Sequence, residues 1–273
     1  MPTTGGPEDG RHTVLFVPGL WMHSSSWTAW CEEFHHSGYT CSRFRWPGEP
    51  ITAATGRDGP PDTGARAATS LLGSLTRQCR ALGGRPIVIG HGVGGWLAEA
   101  LLASGEARAA ISLARAPTGR AALRLTALPL RLGAGRAWSL AMSRGALLTP
   151  AEFHRTFANT VGADESARLY RDFVLPADVR PVLRSSLAAR WNGSPCRQPG
   201  SARRGPLLLI NGAQDRLVHE STAGRLHRRY RRADPDLVTD QVVLPDRGHS
   251  LTIDGQWRGV GFYCLDWLAA HDL

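Results

Sequence analysis

Pro86-Ile87-Val88-Ile89-Gly90-His91-Gly92-Val93-Gly94-Gly95-Trp96-Leu97 passes from a short apolar run through a cluster of glycines into an apolar helical pattern. The run Pro86–Gly90 has the length and β-branched character of a buried strand, and the residues from Val93 to Ala103 carry the 3.6-residue period of a helix. Glycines at 90, 92, 94 and 95 permit positive φ and close approach of helix to sheet. The turn therefore projects position 92 at the C-terminal edge of a sheet, where open α/β folds place their ligands.

Outward from this elbow the same alternation repeats. Further strands are expected at Thr13–Val17, Tyr39–Phe44, Ala109–Ala114, Pro206–Asn211 and Val238–Leu244. Between them, Trp27–His36, Gly64–Leu82, Ser221–Arg231 and Gln256–Ala270 read as helices, which makes the chain an α/β protein with a mostly parallel central sheet. The stretch 117–205 has no strand signal and reads as a helical lid inserted into a core of 13–116 and 206–273, with 1–12 as a flexible tail. Within the lid, Thr149-Pro150-Ala151-Glu152 is a capping box opening a helix toward Thr160, and Asp164 begins another. Asn192 to Gly205 reads as the loop returning the chain to the sheet.

Composition narrows the function classes. With 273 residues, 42% of them hydrophobic and 20% charged, the chain can build a substantial core and is not disordered or fibrous. All 32 basic residues are Arg, against 23 acidic ones. Total exclusion of Lys points to a codon bias across the chain rather than to a surface shaped for phosphate, so no nucleic-acid partner is expected. The run His227-Arg228-Arg229-Tyr230-Arg231-Arg232 reads as the solvated end of a helix. The five cysteines, Cys31, Cys41, Cys79, Cys196 and Cys264, form no CxxC pair or zinc spacing and suit a reducing cytoplasm. Neither an export signal nor a membrane span is legible, no metal or cofactor is called for, and nothing supports an oligomer.

Four motifs in order make a more specific pattern. The elbow resembles the G-x-S-x-G nucleophile turn of the α/β-hydrolase superfamily, with Gly92 at the nucleophile position. Val14-Leu15-Phe16-Val17-Pro18-Gly19-Leu20-Trp21 is similar to the strand and loop that supply an oxyanion-hole amide there, although Pro18 stands where many members have His. Leu209-Ile210-Asn211-Gly212-Ala213-Gln214-Asp215-Arg216-Leu217-Val218 resembles the turn bearing the catalytic acid, and Leu244-Pro245-Asp246-Arg247-Gly248-His249-Ser250 the turn bearing the catalytic histidine. A dinucleotide fold, the competing reading of a Gly-rich turn, is disfavoured by the turn's late position and the lack of an acidic residue after the strand near Ala114. The resemblance covers the chain from Thr13 to Leu268, is closest to bacterial esterase-like members, and implies an α/β-hydrolase fold with a helical lid.

It also implies roles. His249 would be the base and Asp215 its acid partner, with Asp246 as the alternative acid. Leu20, Trp21 and Val93 would furnish the oxyanion hole. Glycine has no oxygen to attack with, so a covalent serine route through position 92 is excluded. Three readings stay open. The His249–Asp215 dyad could remove a proton from a carbonyl-bearing, fairly apolar small molecule of polyketide or other secondary-metabolite type, giving cyclisation, elimination, isomerisation or cofactor-free oxygenation. It could activate water on an ester or lactone, or the glycine could be a knock-out of a serine esterase. The chain could also be an inactive binding protein. Trp21, His91, Arg115 and Trp138 are the candidate substrate contacts, Arg115 as a clamp for a carboxylate or phenolate. Ser24, Ser25 and Ser26 are candidates for a substitute hydroxyl or a helix cap, and Trp27 and Trp30 for core or pocket lining.

Overall fold

The computed structural model describes residues 11–58, 68–117, 145–178, 204–233 and 235–273. Six strands, β1 (Thr13–Val17), β2 (Thr40–Arg43), β3 (Ile87–His91), β4 (Ala109–Leu113), β5 (Leu207–Gly212) and β6 (Thr239–Leu244), form one sheet in the order β2-β1-β3-β4-β5-β6. Every adjacent pair is parallel. Among the described residues the α-helices are α1 (Thr28–His36), α2 (Ala53–Asp58), α3 (Ala68–Ala81), α4 (Val93–Ala103), α5 (Pro150–Thr156), α6 (Ala163–Phe173), α7 (Glu220–Ala233) and α8 (Trp257–Ala269).

The apolar pattern explains why both faces are covered. Along β1, Leu15 and Val17 point into one core with Val88, Leu97, Leu101, Ala110 and Leu209. Val14 and Phe16 point into the other, with Trp27, Trp30, Phe34, Ile89, Ile111 and Trp267. That two-residue alternation buries every residue of β3, β4 and β5, as an all-parallel sheet requires. Trp27 and Trp30 are fully inside, stacked and edge-on around Phe16, which settles them as core. A third cluster, with Met22, Leu148, Phe153, Phe157, Leu169, Val174 and Ile253, lies under α5 and α6.

The chain steps outward from β1 to β2 and then returns to place β3 on the other side of β1. That reversal opens a crevice beyond the carboxyl ends of β1 and β3, the switch point where open α/β sheets hold ligands. The loop after β1 and the elbow after β3 meet there.

Several element bounds differ from the sequence reading for local reasons. The expected helix Trp27–His36 is preceded by a separate 3-10 turn, Ser24–Trp27, because the His23 side chain caps the Ser25 amide and α1 then starts afresh at Thr28. The helix expected from Gly64 is described from Ala68. The six-residue α2 was not anticipated, being too short to carry a period. In the lid stretch, α5 does open with the capping box: the Thr149 side chain accepts from the Glu152 amide and the Glu152 carboxylate from the Thr149 amide. The remainder of that stretch, 118–144 and 179–203, lies outside the described residues, and with it Trp138, Cys196 and most of the expected return loop. Among the described residues no helix is long and apolar enough to cross a membrane.

Candidate active site

Gly92 sits between β3 and α4 with φ 56° and ψ −113°. L-residues reach that conformation only at a cost of about 1–2 kcal/mol, and here the backbone is pinned into it. The Gly92 amide donates to Leu113 O at 2.9 Å, and its carbonyl accepts from Ala116 N at 2.9 Å and Trp96 N at 3.3 Å. Neighbouring Gly94 is required by space. A Cβ there would lie 2.2 Å from Val17 O and 2.7 Å from Pro18 O, so α4 presses against the end of β1. At Gly92, by contrast, a Cβ would meet nothing nearer than His249 Nε2 at 3.7 Å and Gly19 Cα at 3.8 Å.

His249 and Asp215 come together from the turns after β6 and β5. His249 Nδ1 lies 2.7 Å from Asp215 Oδ2. The other carboxylate oxygen, Oδ1, accepts from Leu217 N at 2.7 Å and Val218 N at 2.8 Å, which fixes the plane of the acid. Because Asp215 accepts the Nδ1 proton, the lone pair of a neutral imidazole is left on Nε2. Nε2 has no hydrogen-bond partner among the described residues, and the ring keeps 8% of its surface exposed. Asp246, the alternative acid, is exposed and points into no such pairing.

Two rings that the sequence did not assign to this role hold the imidazole in place. His91 lies tilted against it at 4.6 Å, and Phe157, just past the end of α5, meets it edge-on at 4.6 Å. His91 is 2% exposed, and its Nε2–H donates to the His249 carbonyl at 3.0 Å. Burial, followed by the proximity of His249, holds its pKa well below the ordinary histidine value, so it stays neutral. His91, expected as a substrate contact, lies against Gly19 and the His249 ring. The histidine turn itself is braced by Arg247, which donates to Asp254 and to Gln256 Oε1, while Ser250 Oγ donates to Asp254 Oδ2 at 2.9 Å. Arg247 lies within the histidine-turn motif, but its partner Gln256 lies outside every motif the sequence offered.

The loop after β1 faces the elbow. Trp21 has φ 66°, unusual for so large a residue, and is held there by Trp21 Nε1 donating to Ala146 O at 2.9 Å and by Leu175 N donating to Trp21 O at 2.8 Å. The amides of Leu20, Trp21 and Val93 donate to no acceptor among the described residues, the last because it opens a helix. Beside this loop is a small cleft, whose lining includes Leu20, Trp21, Met22, Trp46, Leu71 and Leu175. Trp46 Nε1 is buried there without an acceptor among the described residues.

Arg115, expected as a clamp for a carboxylate or phenolate, is paired within the fold. Its Nε donates to Glu99 Oε2 at 2.8 Å, and Glu99 also accepts from Ser112 Oγ at 2.8 Å and Tyr230 OH at 2.6 Å. The guanidinium is buried against Glu99 of α4, where the left-handed Ala114 (φ 46°) turns the chain after β4. Ser24 and Ser25 are spoken for as well: Ser24 Oγ donates to Glu49, and Ser25 Oγ pairs with His23 Nδ1 at 2.7 Å. Among the described residues no three His, Cys, Asp or Glu side chains converge as a metal site would need.

A family model described as "Alpha/beta hydrolase family" matches residues 14–259. The chain belongs to that family. Solved structures similar to this α/β hydrolase include a monoacylglycerol lipase from Paleococcus ferrophilus, 17% identical over 98% of this chain and 96% of that one, with a TM-score of 0.64. A methylesterase from Arabidopsis is 16% identical over 94% and 99%, with a TM-score of 0.59. Polyneuridine aldehyde esterase is 9% identical over 94% and 98%, with a TM-score of 0.61. At such identities the likeness establishes the fold. No curated protein matches the chain in sequence.

Proposed function

We propose that this α/β hydrolase is an enzyme that works by general-base catalysis without a covalent intermediate. His249 is the base, Asp215 holds it in the reactive tautomer, and the amides of Leu20, Trp21 and Val93 receive the developing oxyanion. The observation that carries this reading is the unengaged Nε2 of His249, facing position 92 with no side chain between. In a serine enzyme that nitrogen would take its proton from the residue at 92; here it is directed at whatever the substrate or solvent presents. Asp215 contributes by keeping the Nδ1 proton in place and by stabilising the imidazolium that forms.

The substrate is a fairly apolar, carbonyl-bearing small molecule. The cleft beside the oxyanion loop is lined mainly by apolar side chains, with Glu49 and Asp178 also on its wall. Proton removal from the substrate, with an enolate or alkoxide held by the loop amides, gives a non-hydrolytic product; the same base acting on water gives slow hydrolysis. Each oxyanion amide is worth about 10²–10³ in kcat in well-studied systems.

The test is a comparison of the native protein, His249→Ala and Gly92→Ser on p-nitrophenyl esters. The native protein is expected to show no burst and a slow, His249-dependent release of p-nitrophenol. Gly92→Ser is expected to show a stoichiometric burst. A burst in the native protein would overturn the non-covalent mechanism, and identical rates for native protein and His249→Ala would reduce the chain to a binding protein.

A further inference from the structure

Among the glycines of the elbow, position 92 differs from its neighbours in one physical respect. Cβ atoms built on Gly90, Gly94 and Gly95 would collide at 2.1, 2.2 and 2.7 Å, whereas one on Gly92 falls at ordinary van der Waals separation from everything around it. The space of one CH2 group is therefore present beside His249 Nε2 and is not taken up by the protein. Its walls are Gly19 Cα on one side and the imidazole on the other, and behind Gly19 lies the ring of His91, 2.7 Å from where a Cβ on Gly19 would stand. A carbon placed there would stand in ordinary van der Waals contact with these two atoms, at 3.7 and 3.8 Å.

We infer that this space is a subsite for the hydroxymethyl end of a primary alcohol, which supplies the nucleophile the chain lacks, making the enzyme an acyltransferase. The inference rests on the general-base reading above and goes beyond it by naming the second substrate. With CH2–OH lodged at Gly92, the hydroxyl oxygen takes the place in front of His249 Nε2. The imidazole accepts the hydroxyl proton as that oxygen bonds to the acyl carbon of an ester R–CO–X. The oxyanion of the tetrahedral adduct is received by the amides of the loop and helix start. The C–X bond then breaks, the imidazolium returns its proton to X, and the products are R–CO–OCH2R′ and HX. No residue is acylated, and no oxidant or further reactant is consumed. The alcohol can belong to a second molecule, giving transfer, or to the acyl substrate itself, giving a lactone.

The experiment uses p-nitrophenyl butyrate with the native protein in the presence of methanol, ethanol, isopropanol or tert-butanol at equal concentration, with alkyl butyrate and butyrate quantified separately. Methanol and ethanol are expected to give saturable, His249-dependent ester formation at least tenfold above tert-butanol. In Gly92→Ala the methyl group fills the CH2 space but leaves the oxygen position to water, so the ratio of transfer to hydrolysis is expected to fall at least tenfold. A p-nitrophenyl ω-hydroxydecanoate arm distinguishes the two sources: lactone formation exceeding transfer to added ethanol assigns the alcohol to the substrate, and the reverse to a second molecule. His249-dependent p-nitrophenol release whose product ratio ignores alcohol shape and the Gly92→Ala change would overturn the subsite while leaving the general base intact. Release that is the same in native protein and His249→Ala would overturn both.

Discussion

His91 donates through Nε2 to the backbone carbonyl of His249 at 3.0 Å, so one buried imidazole fixes the backbone of the other. The bond requires Nε2 of His91 to carry the proton, and burial disfavours a second one on Nδ1, which lies against Gly19.

This pair sets an acid limit on stability. The folded-state pKa of His91 lies below the unfolded value of about 6.5, so between the two the unfolded chain binds the extra proton. The contribution is complete above about pH 6.5 and is lost as pH falls, at up to about 1.4 kcal/mol per pH unit, until the folded-state value is reached. Urea unfolding across pH 7 to 5 is expected to show a shallower acid loss in His91→Gln than in the native protein. Equal slopes would show that His91 does not stay neutral when folded.

Glu99 and Arg115 form a buried ion pair with 1% and 6% side-chain exposure. Glu99→Ala removes the carboxylate that Arg115, Ser112 and Tyr230 share, and is expected to cost about 3–5 kcal/mol in denaturant unfolding. The double variant Glu99→Leu with Arg115→Met is expected to recover most of that, since it removes both charges. Turnover per folded molecule is expected to be unchanged in the double variant; a specific rise in KM would return Arg115 to the substrate site.

Gly94 and Gly92 are expected to respond to alanine in different degrees. Gly94→Ala drives a methyl into the Val17 and Pro18 carbonyls and is expected to cost about 3 kcal/mol or more. Gly92→Ala meets only the strain of its positive φ, about 1–2 kcal/mol. Thermal unfolding that ranked them the other way would mean that α4 is not pressed onto β1.

Thr149 caps α5, which carries Phe157 to the His249 ring at its far end. Thr149→Ala is expected to cost about 1 kcal/mol. Because the loosened helix releases Phe157, His249-dependent turnover is expected to fall more than the folded population does. A turnover loss that only tracked unfolding would show that the cap is of purely structural value.

The fold was legible because its signals are local. An apolar run such as Ile87–Ile89 dictates a buried strand, the capping box at Thr149 starts a helix within four residues, and the elbow glycines need no distant partner to define a turn. The same locality marked Asp215 and His249 as turn residues and position 92 as an elbow lacking an oxygen. What the acid and base do for each other depended on β5 and β6 lying side by side in the sheet, which brings residues 34 positions apart to 2.7 Å. Only that packing laid His91 against the His249 ring, gave Arg115 to Glu99, and set Phe157 on the imidazole. The sequence by itself determined which elements form and which chemical groups stand at their ends. Tertiary structure decided which groups meet, because hydrogen bonds and ring contacts act over a few ångströms in space and leave no period, spacing or propensity along the chain.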